Sequence, residues 1–122
     1  MNTAVTPGKF AALAVSAFWM IVAPAALAQR LHPAEMAGIK SAIGAATKIT
    51  FVNGSTQAIQ VYWIDYNGNR VLYQTLAPGE EYGLNTYLHH PWVITDEEGN
   101  AWTIYYADAQ PRRVIVTKPE PD

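Results

Sequence analysis

The 122-residue sequence contains no cysteine. Disulfide frameworks, thiolate zinc sites and thiol nucleophiles are thereby excluded, and so is a lipid anchor on a cysteine after a leader. Basic residues are scarce as well: eight Lys+Arg stand against ten Asp+Glu. That balance lacks the basic excess or stripe of a nucleic-acid binder. Enzyme motifs are missing too. There is no G-x-S-x-G, no Gly-rich phosphate loop and no H-E-x-x-H, so neither an enzyme nor a cofactor is expected. Ser41 and Ser55, the serines beyond residue 28, lie in no nucleophile motif. The length accommodates one domain, and helical patterning is too sparse for a catalytic α/β fold.

A membrane-spanning run is also lacking. Lys9 is the lone charge before Arg30, and an uncharged stretch extends from Phe10 to Ala23. At about fourteen residues it falls short of the roughly 20 that a span requires. Pro24 breaks it, and Ala26-Leu27-Ala28 supplies the small-x-small pattern of a signal-peptidase site. Residues 1–28 therefore read as a signal peptide, which makes the protein secreted or periplasmic, with no membrane span after cleavage. Without disulfides the remaining domain relies on packing alone, and its size leaves a modest margin of stability.

Residues 29–47 are small and Ala-rich. Met36, Ile39 and Ile43 recur at helical spacing, and Pro33 suits a first helical turn, while Gly38 and Gly44 weaken a helix. This segment reads as a short helix or a tether. From Lys48 onward, β-branched and aromatic runs alternate with turn signals, the rhythm of a β-sandwich. Strands are predicted at Lys48–Val52, Ala58–Ile64, Arg70–Leu76, Glu80–Thr86, Trp92–Thr95, Ala101–Tyr106 and Arg112–Val116. Ile59, Val61 and Trp63 share one face, and Tyr82, Leu84 and Thr86 another. Asn67-Gly68 reads as a hairpin turn, since both residues tolerate positive φ. The tail 117–122, with Pro119 and Pro121, reads as disordered. The expected fold is all-β: a seven-stranded antiparallel β-sandwich over residues 48–116, preceded by the signal peptide and a short helical or flexible segment.

Metal binding would rest on His89-His90, but adjacent strand residues point to opposite faces, and no other ligand spacing is present. Paired carboxylates could run glycoside hydrolysis, yet Glu80-Glu81 and Asp96-Glu97-Glu98 fall in or beside turns, where they are solvated. The aromatics say more. Beyond residue 28 there are three tryptophans (Trp63, Trp92, Trp102), seven tyrosines and a single phenylalanine, Phe51. A core built for stability alone favours Val, Ile, Leu and Phe, which carry no polar atom. Trp and Tyr add a polar handle to large contact area and are enriched at binding surfaces. Small β-domains also use them as half-buried packing, so any one of them is ambiguous; as a group they point to a recognition surface.

Four blocks carry a family resemblance: Ile49-Thr-Phe-Val-Asn-Gly-Ser55, Val61-Tyr-Trp-Ile-Asp-Tyr-Asn-Gly68, Tyr73-Gln-Thr-Leu-Ala-Pro-Gly79 and Asn85-Thr-Tyr-Leu-His-His-Pro-Trp-Val-Ile94. In order and spacing they resemble the β domain of the von Hippel–Lindau tumour-suppressor family, over roughly Lys48 to Val116. The resemblance implies a seven-stranded antiparallel sandwich that grips a peptide carrying 4-hydroxyproline. It places Trp63, Tyr73, Tyr87 and Trp92 as the aromatic walls and floor of that pocket, Thr86 and His90 on the hydroxyl, and Asn85 and Leu84 beside the peptide backbone. Two positions depart from the family: its serine is Thr86, whose methyl narrows the pocket, and its preceding histidine is Asn85. The family's helical domain, which recruits elongin C and a cullin ligase, has no counterpart in the six residues after Val116, so no ubiquitin-ligase role is expected.

The implied chemistry is coherent. A proline ring is rigid, and its polarised C–H groups pack on electron-rich aromatic faces. Tyr73 could donate to a peptide carbonyl, and peptide backbone could borrow hydrogen bonds from an exposed strand edge. A hydroxyl satisfies Thr86 and His90, whereas plain proline leaves them buried and unpaired. Binding through His90 should change between about pH 5 and 8. The expected partner is a hydroxyproline- or proline-containing protein or peptide, not nucleic acid. The alternatives are a carbohydrate-binding module stacking sugars on Trp and Tyr, and a structural assembly subunit. Nothing in the sequence specifies an oligomeric state.

Overall fold

The computed structural model describes residues 29–120. The expected signal peptide over residues 1–28 lies outside the described residues, as do residues 121–122. No described helix is long and apolar enough to cross a membrane.

Among the described residues, one short helix, α1 (Pro33–Met36), precedes seven strands: β1 (Ala46–Asn53), β2 (Ile59–Ile64), β3 (Arg70–Leu76), β4 (Glu81–Tyr87), β5 (Trp92–Thr95), β6 (Ala101–Tyr105) and β7 (Arg112–Val116). They form two sheets, of order β4-β1-β7 and β3-β2-β5-β6. The strand set matches the sequence reading because each run carries β-branched or aromatic residues and ends in a turn former. Alternation is visible in burial. Ile49, Phe51 and Asn53 of β1 are buried, and so are Ile59 and Val61 of β2. Together with Leu76, Trp92, Ile94, Val114 and Val116 the apolar ones make a single core between the sheets.

One expectation fails. The sandwich is not wholly antiparallel, because β7 runs parallel to β1, Phe51 opposite Val114. A parallel neighbour must arrive by a crossover from elsewhere. Here the chain leaves β6 in one sheet and enters β7 at the outer edge of the other.

The β2–β3 connection also differs. Only Gly68, not Asn67, has positive φ. The Asp65 carbonyl accepts from the Gly68 N–H, and the Asp65 carboxylate accepts from the N–H groups of Asn67 and Asn69. This is a type I turn closed by a left-handed glycine, and it displays Tyr66 at the loop tip. Asp96-Glu97-Glu98-Gly99-Asn100 repeats the same bonds, with the Asp96 carboxylate accepting from the N–H groups of Glu98 and Asn100. The acidic turn thus spends one carboxylate on its own backbone.

Residues 29–47 are tied to the domain. Pro33 occupies the first turn of α1, and His32 and Glu35 close a capping box. The Met36–Ile43 stripe is not a helical face, for these two side chains are 75% and 90% exposed. From residue 41 the chain runs extended beside the 87–90 turn. Ala42 N–H donates to His89 O, and Leu88 N–H donates to Ala45 O. Gly44 allows this approach, since a Cβ there would collide with the Leu88 carbonyl. Residues 117–120 carry no regular structure.

Candidate functional site

The strand β3 lies at the edge of one sheet and β4 at the edge of the other. Residues from both edges line one cleft of about 210 Å³: Trp63, Tyr66, Tyr73, Asn85, Thr86, Tyr87, His90 and Trp92.

Each side chain is placed by local structure. Trp63 and Trp92 are direct cross-strand neighbours on β2 and β5, which puts both indoles on one face. Tyr73 is the extra residue of a β-bulge, since Val61 pairs with Gln74 and Tyr62 with Leu72. Bulges re-aim side chains, and this one brings the Tyr73 ring edge-on to Trp92 at 4.9 Å and to Trp63 at 6.3 Å. Thr86 points inward on β4 and is 2% exposed.

His90 owes its place to the turn before β5. His89 takes φ 69°, the left-handed region that costs a non-glycine residue roughly 1–2 kcal/mol. His90 N–H closes the turn on Tyr87 O, and Pro91 after it disfavours a helical conformation at His90. The two histidines are therefore turn residues, not strand residues; His89 is exposed and His90 buried.

The cleft has a polar skeleton. Trp92 Nε1–H donates to Thr86 Oγ1 at 3.0 Å. Trp63 Nε1–H is shared between Ser41 Oγ at 2.9 Å and His90 Nδ1 at 3.1 Å, and Ser41 Oγ–H donates to Ile64 O. His90 Nε2 lies 3.0 Å from Tyr66 Oη. The His90 ring stacks on Trp63 at 5.4 Å and meets Tyr66 edge-on. The floor is thus Thr86, His90 and Trp92, and the rim is the half-exposed Tyr66, Tyr73 and Tyr87.

Seven of the eight residues expected at the site meet here: Trp63, Tyr73, Asn85, Thr86, Tyr87, His90 and Trp92. Leu84 does not line this cleft. Strand alternation turns it inward beside Tyr82 to pack on the core, and it borders a separate groove with Lys48, Thr50, Gly83 and Asn85. A second groove, lined by Ala46 to Lys48 and Asn85 to Tyr87, shares residues with both. These grooves are larger, at about 240 and 280 Å³, but neither is lined by an indole or by His90, the groups that would fix a ring's orientation. Sequence reasoning missed Tyr66 and Ser41. Tyr66 falls in the connection between the predicted strands Ala58–Ile64 and Arg70–Leu76, where no motif marks it, and Ser41 lies in no nucleophile motif.

Burial, with a smaller contribution from neighbouring His89, lowers the His90 pKa below its ordinary 6.5. The titratable groups facing the ring are the Tyr66 and Tyr87 phenols. Between the folded pKa and 6.5 the unfolded chain binds a proton that the folded chain refuses. His90 therefore supports stability fully above pH 6.5, and that support is lost as pH falls below it. The melting temperature should drop between pH 7.5 and 5, and His90→Gln should flatten that drop. An unchanged slope in the variant would remove His90 as its source.

The sequence model of the VHL beta domain matches residues 39–107, more than half of the chain. The match takes in the extended segment behind the cleft, from Ile39, and every residue that lines the cleft. The chain therefore belongs to the VHL beta domain family.

Proposed function

We propose that this chain is an exported binding module, not an enzyme, whose cleft recognises a hydroxyproline residue in a partner protein or peptide. The VHL beta domain is known for hydroxyproline recognition. The observation that carries the reading to this chain is the floor of the cleft. Trp92 donates to Thr86 Oγ1, so the Thr86 hydroxyl keeps its own hydrogen for a ligand oxygen. Size agrees: about 210 Å³ lies below the roughly 300–1,000 Å³ of drug-sized sites and suits a single ring. The two edge strands beside the cleft offer unpaired backbone groups to a peptide running past it. Export rests on the leader read over residues 1–28.

Sugar stacking is the weaker reading. It needs a broad, open indole platform, whereas both indoles lie in a cleft of about 210 Å³ that Tyr66, Tyr73 and His90 wall in.

Thr86→Val keeps the shape of the floor and removes its hydroxyl. Indole fluorescence titrated with hydroxyproline peptide, proline peptide and a sugar panel tests the reading. The hydroxyproline preference should fall by about 1–3 kcal/mol, the cost of a lost partner for a buried polar group. A sugar that binds wild type and variant alike, with neither peptide bound, would replace this function.

A further inference from the structure

Resting on the hydroxyproline reading of the cleft, we propose that Tyr66 is a specificity-determining residue: its hydroxyl and that of Thr86 both donate to the ligand oxygen, and His90 acts behind Tyr66 as a positioning residue. The direction of each hydrogen bond carries this. An indole N–H only donates. Trp63 Nε1 faces His90 Nδ1 at 3.1 Å, so Nδ1 accepts, and the neutral ring carries its proton on Nε2 by assignment from its partners. Nε2 faces Tyr66 Oη at 3.0 Å. That N–H therefore donates to the phenol oxygen, and the Tyr66 hydrogen is left for a third group.

The floor repeats the logic. Trp92 donates to Thr86 Oγ1, which leaves the Thr86 hydrogen. Tyr66 and Thr86 both line the cleft, and both offer hydrogens there. His90, with each ring nitrogen already engaged, offers neither a free lone pair nor a free hydrogen. An oxygen with two lone pairs satisfies both donors; the plain methylene of proline satisfies neither. The Tyr66 ring is held for this task at a loop tip, edge-on to Trp63 at 5.7 Å and to His90 at 5.4 Å.

The test uses three matched peptides that carry proline, 4-hydroxyproline or 4-oxoproline, whose ketone accepts hydrogen bonds and donates none. The wild-type chain should bind the oxo and hydroxy peptides within roughly threefold of each other, both ahead of the proline peptide, because only acceptance is required. Tyr66→Phe, with folding checked by thermal melt, should lower the preference for both over proline about five- to tenfold, the scale of one neutral hydrogen bond. In that background His90→Gln should cause no further loss, the non-additivity of two residues acting as one. An oxo peptide that binds no better than proline, or a Tyr66→Phe chain that keeps its full preference, overturns the assignment and leaves the hydroxyproline reading standing. If the wild-type chain does not distinguish the three peptides, the hydroxyproline reading fails and takes the assignment with it.

Discussion

Truncating Trp92 to alanine is expected to destabilise the domain by about 3–5 kcal/mol, the usual cost of removing a large aromatic from a core. Trp92 belongs to two structures at once. Its ring is 2% exposed and lies 6.1 Å from Phe51, so it fills the space between the sheets. Its N–H and one face form the floor of the cleft. Small domains are stable by only about 5–15 kcal/mol in total, so the variant should be largely unfolded at moderate urea. Trp92→Phe keeps much of the volume and should lose far less. Urea denaturation followed by circular dichroism gives both values. A Trp92→Ala chain within 1 kcal/mol of wild type would mean that Trp92 is a surface contact and that the cleft has no rigid floor.

The second large effect lies outside the cleft. Glu35 of α1 and Arg70 of β3 form a two-pronged ion pair, with Arg70 Nε–Glu35 Oε2 at 2.7 Å and Arg70 Nη2–Glu35 Oε1 at 2.8 Å. Their side chains are 6% and 10% exposed. Arg70 also donates to Gly99 O and sits over the Tyr62 ring. Removing one partner of such a pair leaves an uncompensated charge and costs about 3–5 kcal/mol, whereas replacing both by apolar groups is often neutral. Arg70→Ala should thus unfold the chain far more readily than the pair Glu35→Leu/Arg70→Met. The exposed Arg113–Glu81 pair makes equally short contacts, yet contributes little because water screens it.

The acid limb of the stability curve offers a second readout of the same pair. Burial pushes the Glu35 carboxyl up, but the Arg70 hydrogen bonds, the His32 N–H and the charge of Arg70 outweigh it, and the pKa ends below 4.5. Glu35 therefore adds stability above that value, which is lost as pH falls through the folded pKa. Glu35→Gln should remove this part of the acid loss while leaving the His90 step that begins below pH 6.5. Equal acid sensitivity in variant and wild type would contradict a buried pair.

How much could be read in the sequence follows from what each feature depends on. The strands depend on local patterning, and Ile59-x-Val61-x-Trp63 alternates just as a half-buried strand should. The cleft residues came from the family resemblance; patterning alone does not say that Tyr73 and Tyr87, far apart along the chain and on the edge strands of different sheets, line one cleft. The β3 bulge that aims Tyr73 has no glycine or other local sign. Tyr66 was hidden because it lies in a connection: the Asp65 carboxylate shapes that loop through the N–H groups of Asn67 and Asn69, and no local pattern says that its tip reaches His90. Residues 29–47 were illegible because their partners (Arg70, Trp63, the Leu88 carbonyl) lie far along the chain. The parallel entry of β7 depends on the path of the whole sandwich, which no window of residues contains.

The central claim is that the cleft reads an oxygen on a proline ring. Calorimetric titration of the chain at pH 7.5 with two peptides that differ only in proline against 4-hydroxyproline tests it most directly. A hydroxyproline preference of roughly ten- to a hundredfold is expected from one or two hydrogen bonds to the ring oxygen. Equal affinities, or no heat with either peptide, would contradict it.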